Sequence, residues 1–416
     1  MSVKTFYTPD WKLIRISCFI SLAVFCNYLL WAINSYSFLK YFNFSLLIFL
    51  ILNFLINKDF KDHNYVRLFF ICLLVLSLGS VTTDWDARSV WLFHAKRIFF
   101  DNNLYSGFDN YEPELMNAYP LLAPSLSATL AKIVGYWNEI FPKSTNIFVL
   151  LPALLVQCSF LKNYKLNLIW LMFILLFSGR ILVNGRTDGL VAMYFVSNCL
   201  IIFSLFIENK INYGTRRKDR KLNEIFLLAS GIFTGITLTL LKNEGFVLML
   251  IIFLTTILYK AINKKSFKSK ELIFWIIIFS PFVIWKLMTI YHGVYPRILG
   301  YGVDDISIYE RITGRLLHLN SYKLFITYLI LNEKFILSLI IFSFVLYKNF
   351  TNNKTMFTFV LLNVISYYIL LYIIFLGASW DLEMTLNSSA HRVLVSIVLA
   401  FSFFSIYTFK NKTIKL

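Results

Sequence analysis

Long apolar runs alternate with short polar segments along most of the chain. About 20 apolar residues in a helix are needed to cross the roughly 30 Å hydrocarbon core of a bilayer. Twelve runs approach that length, so the sequence predicts an all-α polytopic membrane protein with about 12 transmembrane helices, forming a single integral membrane domain over residues 1–416. The runs lie near residues 16–33, 38–56, 65–81, 145–161, 166–180, 187–207, 222–241, 244–261, 271–291, 325–347, 355–376 and 391–409.

The segment 82–101 follows the third apolar run directly and is polar at its start. Asp84 and Asp86 flank Trp85, and from Trp91 onward apolar residues recur at the spacing of one helix face. This pattern predicts an amphipathic helix that lies on the membrane surface, with two acids at its N-terminal end. A purely structural alternative is that Asp84 caps the helix and Asp86 complements its dipole.

A shorter apolar segment, 119–137, has polar residues spread along its length. If it crossed the membrane, the basic loop 208–221 would lie outside the cell, against the tendency of Lys and Arg to stay in the cytoplasm. We therefore predict a second surface-lying helix here. Residues 82–144 then form one large external loop that carries two interfacial helices, and residues 292–324 form a second external loop.

The charge distribution sets the orientation. The chain is 58% hydrophobic, 15% charged and has a net charge of +18, whereas soluble proteins carry about 25% charged residues. With the N-terminus in the cytoplasm, the predicted internal segments hold 24 of the 40 Lys and Arg residues and 7 of the 22 acids. The excess positive charge is then almost wholly cytoplasmic. It therefore indicates the orientation of the chain in a lipid bilayer, and we do not expect a nucleic acid as partner.

Unusual polar residues collect in the external segments. Lys242 and Arg392 lie at the external ends of spans, against the positive-inside bias, although cations at such places also extend to the headgroups for purely structural reasons. The other external candidates are Arg186, Asp188, Asn243, Glu244 and His391, together with His94 and Lys96 on the first interfacial helix.

Three features of the sequence are similar to those of a known family. They are the motif Asp84-Trp85-Asp86-Ala87 in the first large external loop, the Tyr119-Pro120-Leu121-Leu122 start of the second helix, and Arg392 at the start of the final span. They resemble the GT-C class of integral membrane glycosyltransferases. More narrowly, they resemble the lipid-phosphate-sugar-dependent branch, which includes protein O-mannosyltransferases and lipid A aminoarabinose transferases. Two spans precede the span that leads into the acidic loop, where the family usually has one, and Ala87 stands where Glu is often found.

The resemblance implies an inverting glycosyltransferase that moves a sugar from a polyprenyl-phosphate donor to a lipid, glycan or protein acceptor. The reaction would take place on the external face of the membrane, and composition and size favour a bacterial plasma membrane. The acceptor hydroxyl needs a base, and Asp86 stands where the family's catalytic acid falls, so that Asp84 would orient the acceptor. No cofactor is expected, although the paired acids could also hold a divalent cation.

The leaving phosphate needs cations to meet its growing negative charge, and we assign this role to Lys242, Arg392 and Arg186. The remaining external candidates are assigned to substrate binding, and Trp85 could stack on a sugar ring. These substrate-binding candidates are Trp85, His94, Lys96, Tyr119, Asp188, Asn243, Glu244 and His391.

Two other functions stay open. Transporters and flippases of lipid-linked saccharides place ionisable residues inside their spans, often in broken helices related by repeats, whereas the acids here cluster in external loops. O-antigen polymerases and ligases are also polytopic but typically carry a large external loop late in the chain, and the loop at 292–324 is of moderate length.

Overall fold

The computed structural model describes residues 9–109, 111, 116–208, 217–294, 307–378 and 380–409, and these residues form helices joined by turns, with no strand among them. The first half contains α1 (Trp11–Ala32), α2 (Ser37–Ile56), α3 (Asn64–Gly79), α4 (Phe93–Asp101), α5 (Leu122–Val134), α6 (Thr145–Leu161), α7 (Tyr164–Val183) and α8 (Asp188–Ile202). The second half contains α9 (Arg217–Leu241), α10 (Asn243–Ile262), α11 (Ser269–Tyr291), α12 (Ile308–Leu317), α13 (Leu319–Phe325), α14 (Glu333–Gly377), α15 (Leu382–Val393) and α16 (Val395–Phe409).

The predicted number of spans is confirmed. In the described part of the chain, twelve helical stretches are long and apolar enough to cross a membrane, and each overlaps one of the twelve apolar runs of the sequence. The short run 166–180 belongs to a full-length span, because α7 extends it at both ends. The chain is therefore an all-α integral membrane protein.

One pair of spans is a tight hairpin. The long α14 breaks at Asn353, whose φ of −128° and ψ of 24° are not helical. Phe342 and Phe357 lie on opposite sides of this break, and their ring centroids are 5.6 Å apart. Fifteen residues of straight helix would separate them by about 22 Å, so the chain folds back on itself and the two arms, Glu333–Thr351 and Asn353–Gly377, are separate spans.

The centre of the bundle is formed by α6 and α8. Their spans are 100% and 94% buried, whereas those of α2, α3 and α11 are about one-third buried or less. α1 packs on α2, α6 and α9, and α16 packs on α7, α8 and α14. Apolar residues that remain exposed on the outer helices are the surface expected to face lipid.

The two predicted surface helices pack against other helices of the bundle. Residues Ala87–Leu92 form a π-helix that leads into α4, and α4 packs against α5. The apolar side chains of the stripe, Trp91, Leu92, Ala95 and Ile98, are 4% exposed or less. α5 does not span, as predicted, but it is also buried against α1, α4 and α6. Most of both apolar faces therefore meets protein, while Ile133 and Val134 at the end of α5 remain exposed. Hydropathy alone does not distinguish a lipid partner from a helix partner.

The later polar loops contain helices that hydropathy did not reveal. The described part of 292–324 forms α12 and α13, and the segment before the last span forms α15, which Asp381 caps by accepting a 2.9 Å hydrogen bond from Met384 N. Arg315 of α12 donates to the carbonyls of Phe375 and Trp380 and so ties α12 to the end of α14. Outside the described residues lie several residues of the predicted external loops, namely Glu112, Glu114, Tyr295, Pro296, Arg297, Asp304 and Asp305. Positions 110 and 215 lie there too; the predicted topology puts the first outside the cell and the second inside, so labelling from outside should reach only 110.

Candidate functional site

Seven charged residues from separate stretches of the chain meet at one end of the helix bundle. They come from the segment after α3, the α7–α8 turn, the α9–α10 turn and the end of α15. An even number of spans separates each stretch from the next: two between the first and second, two between the second and third, and four between the third and fourth. All four stretches therefore lie at the same end of the bundle, provided that α5 does not cross the membrane. We call this set the charged cluster: Asp84, Asp86, Arg186, Asp188, Lys242, Glu244 and Arg392.

Asp84 is held by two donors from the α7–α8 turn. Its Oδ1 accepts a 2.6 Å hydrogen bond from Arg186 Nη2, and its other oxygen accepts from the amide of Asn184. Asp84 contributes to the helix through its main-chain carbonyl, which accepts a 3.1 Å hydrogen bond from Arg88 N. The side chain therefore joins the first polar loop to the α7–α8 turn, and the alternative that it caps the helix is wrong.

Asp86 is paired with Arg392. Arg392 Nη1 donates to Asp86 Oδ2, while its Nη2 donates to Ser389 Oγ at 3.1 Å. Arg392 Nη1 also lies 3.9 Å from Asp188 Oδ2, so one guanidinium serves two carboxylates. The Asp86 side chain is 25% exposed and that of Arg392 is 10% exposed. Arg392 is thus an interior ion-pair partner, and it does not extend to the headgroups.

Lys242 lies in the α9–α10 turn between two acids. Its Nζ donates to Asp188 Oδ1 at 2.9 Å and lies 3.3 Å from Glu244 Oε1. Burial opposes the charge on this lysine, but the two carboxylates outweigh burial and hold the pKa of Lys242 well above its ordinary value. Gly245 allows the turn to be this tight, because a Cβ there would meet the carbonyl oxygen of Leu238 at 2.0 Å.

An aromatic wall borders the cluster. Tyr119 stacks on Trp91 with ring centroids 5.5 Å apart and planes 3° apart, and Lys242 Nζ lies 5.8 Å from the Tyr119 ring. The backbone beside Tyr119 is fixed from α11, since Trp285 Nε1 and Lys286 Nζ both donate to the carbonyl of Ala118, at 3.2 Å and 2.7 Å. Burial raises the pKa of Tyr119, so its phenol is a neutral wall of the site.

The cluster holds unused hydrogen-bonding capacity. Asp188, Lys242, Glu244 and Arg392 line a small cavity of about 10 Å³, room for about one water molecule, and Tyr367 of α14 lines it as well. Buried donors and acceptors in proteins are normally satisfied, so atoms without partners indicate a place for a ligand or water. Several such atoms belong to this site in the described structure: Arg186 Nε, Thr187 Oγ1, Asp188 Oδ2, Asn243 Oδ1, Glu244 Oε2 and Arg392 Nε.

A second, more open cleft lies on the other side of the acidic motif. Its volume is about 360 Å³, and it is lined by Thr83, Trp85, Arg88, Ser89, Phe93 and Glu139. Trp85 is 50% exposed, and Arg88 Nε pairs with Glu139 at 2.9 Å. Alternate residues of one short stretch therefore serve two spaces: Thr83 and Trp85 line the cleft, whereas Asp84 and Asp86 enter the charged cluster.

Five of the predicted substrate-binding residues line neither space: Tyr119 and Asn243, which border the charged cluster, and His94, Lys96 and His391. His94 is buried within α4, with its ring edge-on to Phe93 at 5.6 Å. Lys96 is exposed on α4, and His391 is exposed on α15 beside Arg392. Asn243 begins α10 within the Lys242 turn, and its buried Oδ1 is among the unsatisfied atoms of the site.

Sequence reasoning missed four residues of this region. Asn184 holds Asp84, and Ser389 holds Arg392. Trp91 stacks on Tyr119, and Tyr367 lines the small cavity. The polar run around Asn184 was a usable signal, because it lies two residues from Arg186. Tyr367 lies in the middle of an apolar span and gave none.

Within the described residues, no group of three or more His, Cys, Asp or Glu side chains is arranged to hold a metal ion. The cluster instead alternates four carboxylates with three cations.

No protein-family model, curated protein or solved structure matches the chain.

Proposed function

We propose that the protein is an inverting glycosyltransferase of the GT-C type that transfers a sugar from a polyprenyl-phosphate donor to an acceptor hydroxyl. The observation that carries the proposal is the pairing of both acids of one short motif with distant arginines, Asp84 with Arg186 and Asp86 with Arg392. Together with Lys242, this places carboxylates and cations at one end of a helix bundle, the end that the distribution of basic residues predicts to be external.

The donor phosphate would bind to the three cations. Charge-assisted hydrogen bonds from arginine and lysine are the strong way to hold a phosphate, and a lipid-linked donor reaches the ends of the helices from within the bilayer. Each cation now has a carboxylate partner, so the phosphate must compete with one. Arg392 is the cation shared between Asp86 and Asp188. In the proposed mechanism the phosphate draws Arg392 away and frees Asp86.

Asp86 is the better base of the two acids. Its side chain is 25% exposed, against 15% for Asp84. The two oxygens of Asp84 are both engaged, by Arg186 and Asn184, whereas Asp86 is held by Arg392. Asp84 is then a positioning residue that fixes the motif against the α7–α8 turn.

The reaction follows from these placements. Asp86 accepts the proton of the acceptor hydroxyl as that oxygen attacks the anomeric carbon from the face opposite the phosphate. The bond between the anomeric carbon and the phosphate oxygen breaks, and the electron pair leaves with the phosphate. Arg392, Lys242 and Arg186 meet the charge that develops there. The products are an inverted glycoside and a polyprenyl phosphate, with the proton on Asp86.

The open cleft supports a place for the acceptor. Trp85 offers a half-exposed indole on which the apolar face of a sugar ring can stack, and Thr83, Ser89 and Glu139 offer hydrogen-bonding groups around it. A sugar on the indole would lie against the same short motif that carries Asp86, on the side opposite the charged cluster, so its hydroxyl has to extend past the motif to reach the base. This arrangement favours a glycan or glycolipid acceptor.

The test is transfer by the purified full chain in nanodiscs, given a polyprenyl-phosphate hexose carrying a radiolabel in the sugar and membrane glycolipids as acceptors. The expected result is release of polyprenyl phosphate in step with labelled glycolipid of inverted anomeric configuration. A protein that leaves the donor intact but moves it between the leaflets of proteoliposomes would instead be a flippase, and the glycosyltransferase proposal would be overturned.

A further inference from the structure

A second basic site lies away from the charged cluster, where α2 packs against α5. Lys40 is in the first turn of α2, and Lys132 is in the last turn of α5. The adjoining end of α1 is tied to the segment after α4, because the Tyr105 hydroxyl donates to the carbonyl of Ala32 at 2.7 Å. The two lysines therefore lie at the same end of the bundle as the acidic loop, against the positive-inside bias.

Lys40 is a buried cation without an anion. It is 1% exposed, its Nζ has no hydrogen-bond partner, and it lies 3.8 Å from the centroid of the Trp31 ring. That ring is fixed, because Trp31 Nε1 donates to Thr129 at 2.8 Å. A cation over an indole is favourable, but the ring leaves all three N–H donors of the ammonium unused.

Lys132 adds a second cation, which is partly exposed and also has no ion-pair partner among the described residues. Its Nζ lies 5.0 Å from the ring of Phe99, which in turn packs 6.0 Å from the ring of Trp137. The indole nitrogen of Trp137 is buried and has no hydrogen-bond partner. In the described structure neither Lys40 nor Lys132 forms an ion pair. Two ammonium groups on packed helices, and one indole N–H on the ring that Phe99 contacts, are therefore without an anionic partner there.

The residues around the two lysines indicate which kind of molecule would supply an anionic hydrogen-bond acceptor. The residues next to the two lysines are apolar and outward-facing: Phe38 is 73% exposed, Phe42 62%, Ile133 45% and Val134 45%. Exposed apolar residues on both helices are suited to acyl chains. A soluble anion would find little else to bind here, whereas a phospholipid would place its chains on this surface and its headgroup at the helix ends.

We propose that Lys40, Lys132 and the Trp137 indole bind the phosphate of an anionic phospholipid headgroup. Two cations and an N–H donor match the oxygens of a phosphodiester, and the exposed residues of α2 and α5 match the lipid chains. The site involves none of the residues assigned to glycosyl transfer, and it stands whether or not the chain transfers sugars.

The test uses native mass spectrometry and thermal melting of the full chain in detergent. Phosphatidylglycerol, phosphatidylcholine and inorganic phosphate are added separately. The expected result is that phosphatidylglycerol binds at least tenfold more tightly than phosphatidylcholine and raises the melting temperature. Lys40→Met and Lys132→Met should each remove most of this preference, and Lys40→Arg should retain it. Lys323→Met, at an exposed lysine of α13, is the matched control and should bind as the unaltered protein does.

Three outcomes would overturn the proposal. The first is an equal melting shift with inorganic phosphate alone, which would mean that the site takes a free anion. The second is equal binding of the two lipids. The third is a Lys132→Met variant that folds and keeps the full preference, because Lys132 is partly exposed and its replacement should not disturb packing. If Lys40→Met then also melts higher and keeps the preference, Lys40 is simply a packed side chain.

Discussion

Arg392 donates a hydrogen bond to Asp86, a residue 306 positions earlier in the chain. The contact joins the end of α15 to the start of the π-helix after α3, so the first polar loop and the segment before the final span close on each other. Because Arg392 also lies 3.9 Å from Asp188, the same guanidinium links three parts of the chain. Its exchange from carboxylate to phosphate is the central step that the proposed function requires.

The first prediction concerns the base. Asp86→Asn keeps the size of the side chain and can still accept a hydrogen bond from Arg392, so the protein should fold. It cannot take the acceptor proton, and the rate of transfer should fall about a hundredfold or more. Asp84→Asn should cost less. The measurement is single-turnover transfer with purified variants. Asp101→Asn, at a half-exposed acid of α4, is the control and should react normally, and near-normal turnover by Asp86→Asn would remove the base assignment.

The second prediction separates the structural role of Lys242 from its role in binding. Lys242→Met leaves Asp188 buried with only the distant Arg392 as partner, which should destabilise the fold by about 3–5 kcal/mol. The double variant Lys242→Met with Asp188→Asn removes the stranded charge and should melt close to the unaltered protein. If Lys242 binds the donor phosphate, the double variant should still have a donor KM about tenfold higher. Normal donor KM in a well-folded double variant would limit Lys242 to a structural role.

The third prediction is a pH dependence. The folded pKa of Lys242 is raised above the ordinary value of about 10.4 for lysine. Its contribution to stability is therefore fully present below about pH 10.4 and is lost only as the pH rises toward the folded pKa. The difference in melting temperature between the unaltered protein and the Lys242→Met single variant should stay constant from pH 7 to about pH 10. A difference that shrinks between pH 7 and pH 9 would mean that burial outweighs the carboxylates.

The fourth prediction tests the turn that places Lys242. Gly245→Ala puts a methyl group 2.0 Å from the carbonyl oxygen of Leu238, and such overpacking costs about 1–3 kcal/mol. Because the turn must open to relieve the clash, donor binding should weaken as well. Gly314→Ala in α12 is the matched control: no heavy atom lies within 4 Å of the new methyl group, and alanine favours a helix by about 1 kcal/mol. The measurements are the melting temperature and the donor KM of both variants. Gly245→Ala should lower the first and raise the second, and Gly314→Ala should do neither.

The spans could be predicted because each one is a local run of apolar residues, and a local run is enough to specify a helix of bilayer length. The end of the bundle that carries Asp84, Arg186 and Lys242 followed from counting spans. α12, α13 and α15 were missed because they are short and polar. The apolar stripe that begins at Trp91 was assigned to the membrane surface. An apolar helix face indicates that the face is covered, but it does not show whether lipid or protein covers it.

The pairing within the cluster could not be predicted, for a different reason. That Asp84 meets Arg186 and Asp86 meets Arg392 depends on how α7, α15 and the first polar loop pack together. Nothing local in the sequence distinguishes this pairing from the exchanged one. The role of Tyr367 was equally hidden, because a tyrosine within an apolar span is usually only part of the packing.

The last prediction tests the exchange of Arg392 between carboxylate and phosphate. Arg392→Gln removes the cation that the donor phosphate would take, and the donor KM should rise about tenfold or more, the cost of one charge-assisted hydrogen bond. The same change frees Asp86 in advance, so kcat at saturating donor should fall much less than for Asp86→Asn. Trp85→Ala is the complementary variant: losing the indole should raise the acceptor KM and leave the donor KM unchanged. Initial rates over a grid of donor and acceptor concentrations separate these effects. An Arg392→Gln variant whose kcat falls as far as that of Asp86→Asn, with an unchanged donor KM, would mean that Arg392 serves to orient the base, and the exchange would not occur.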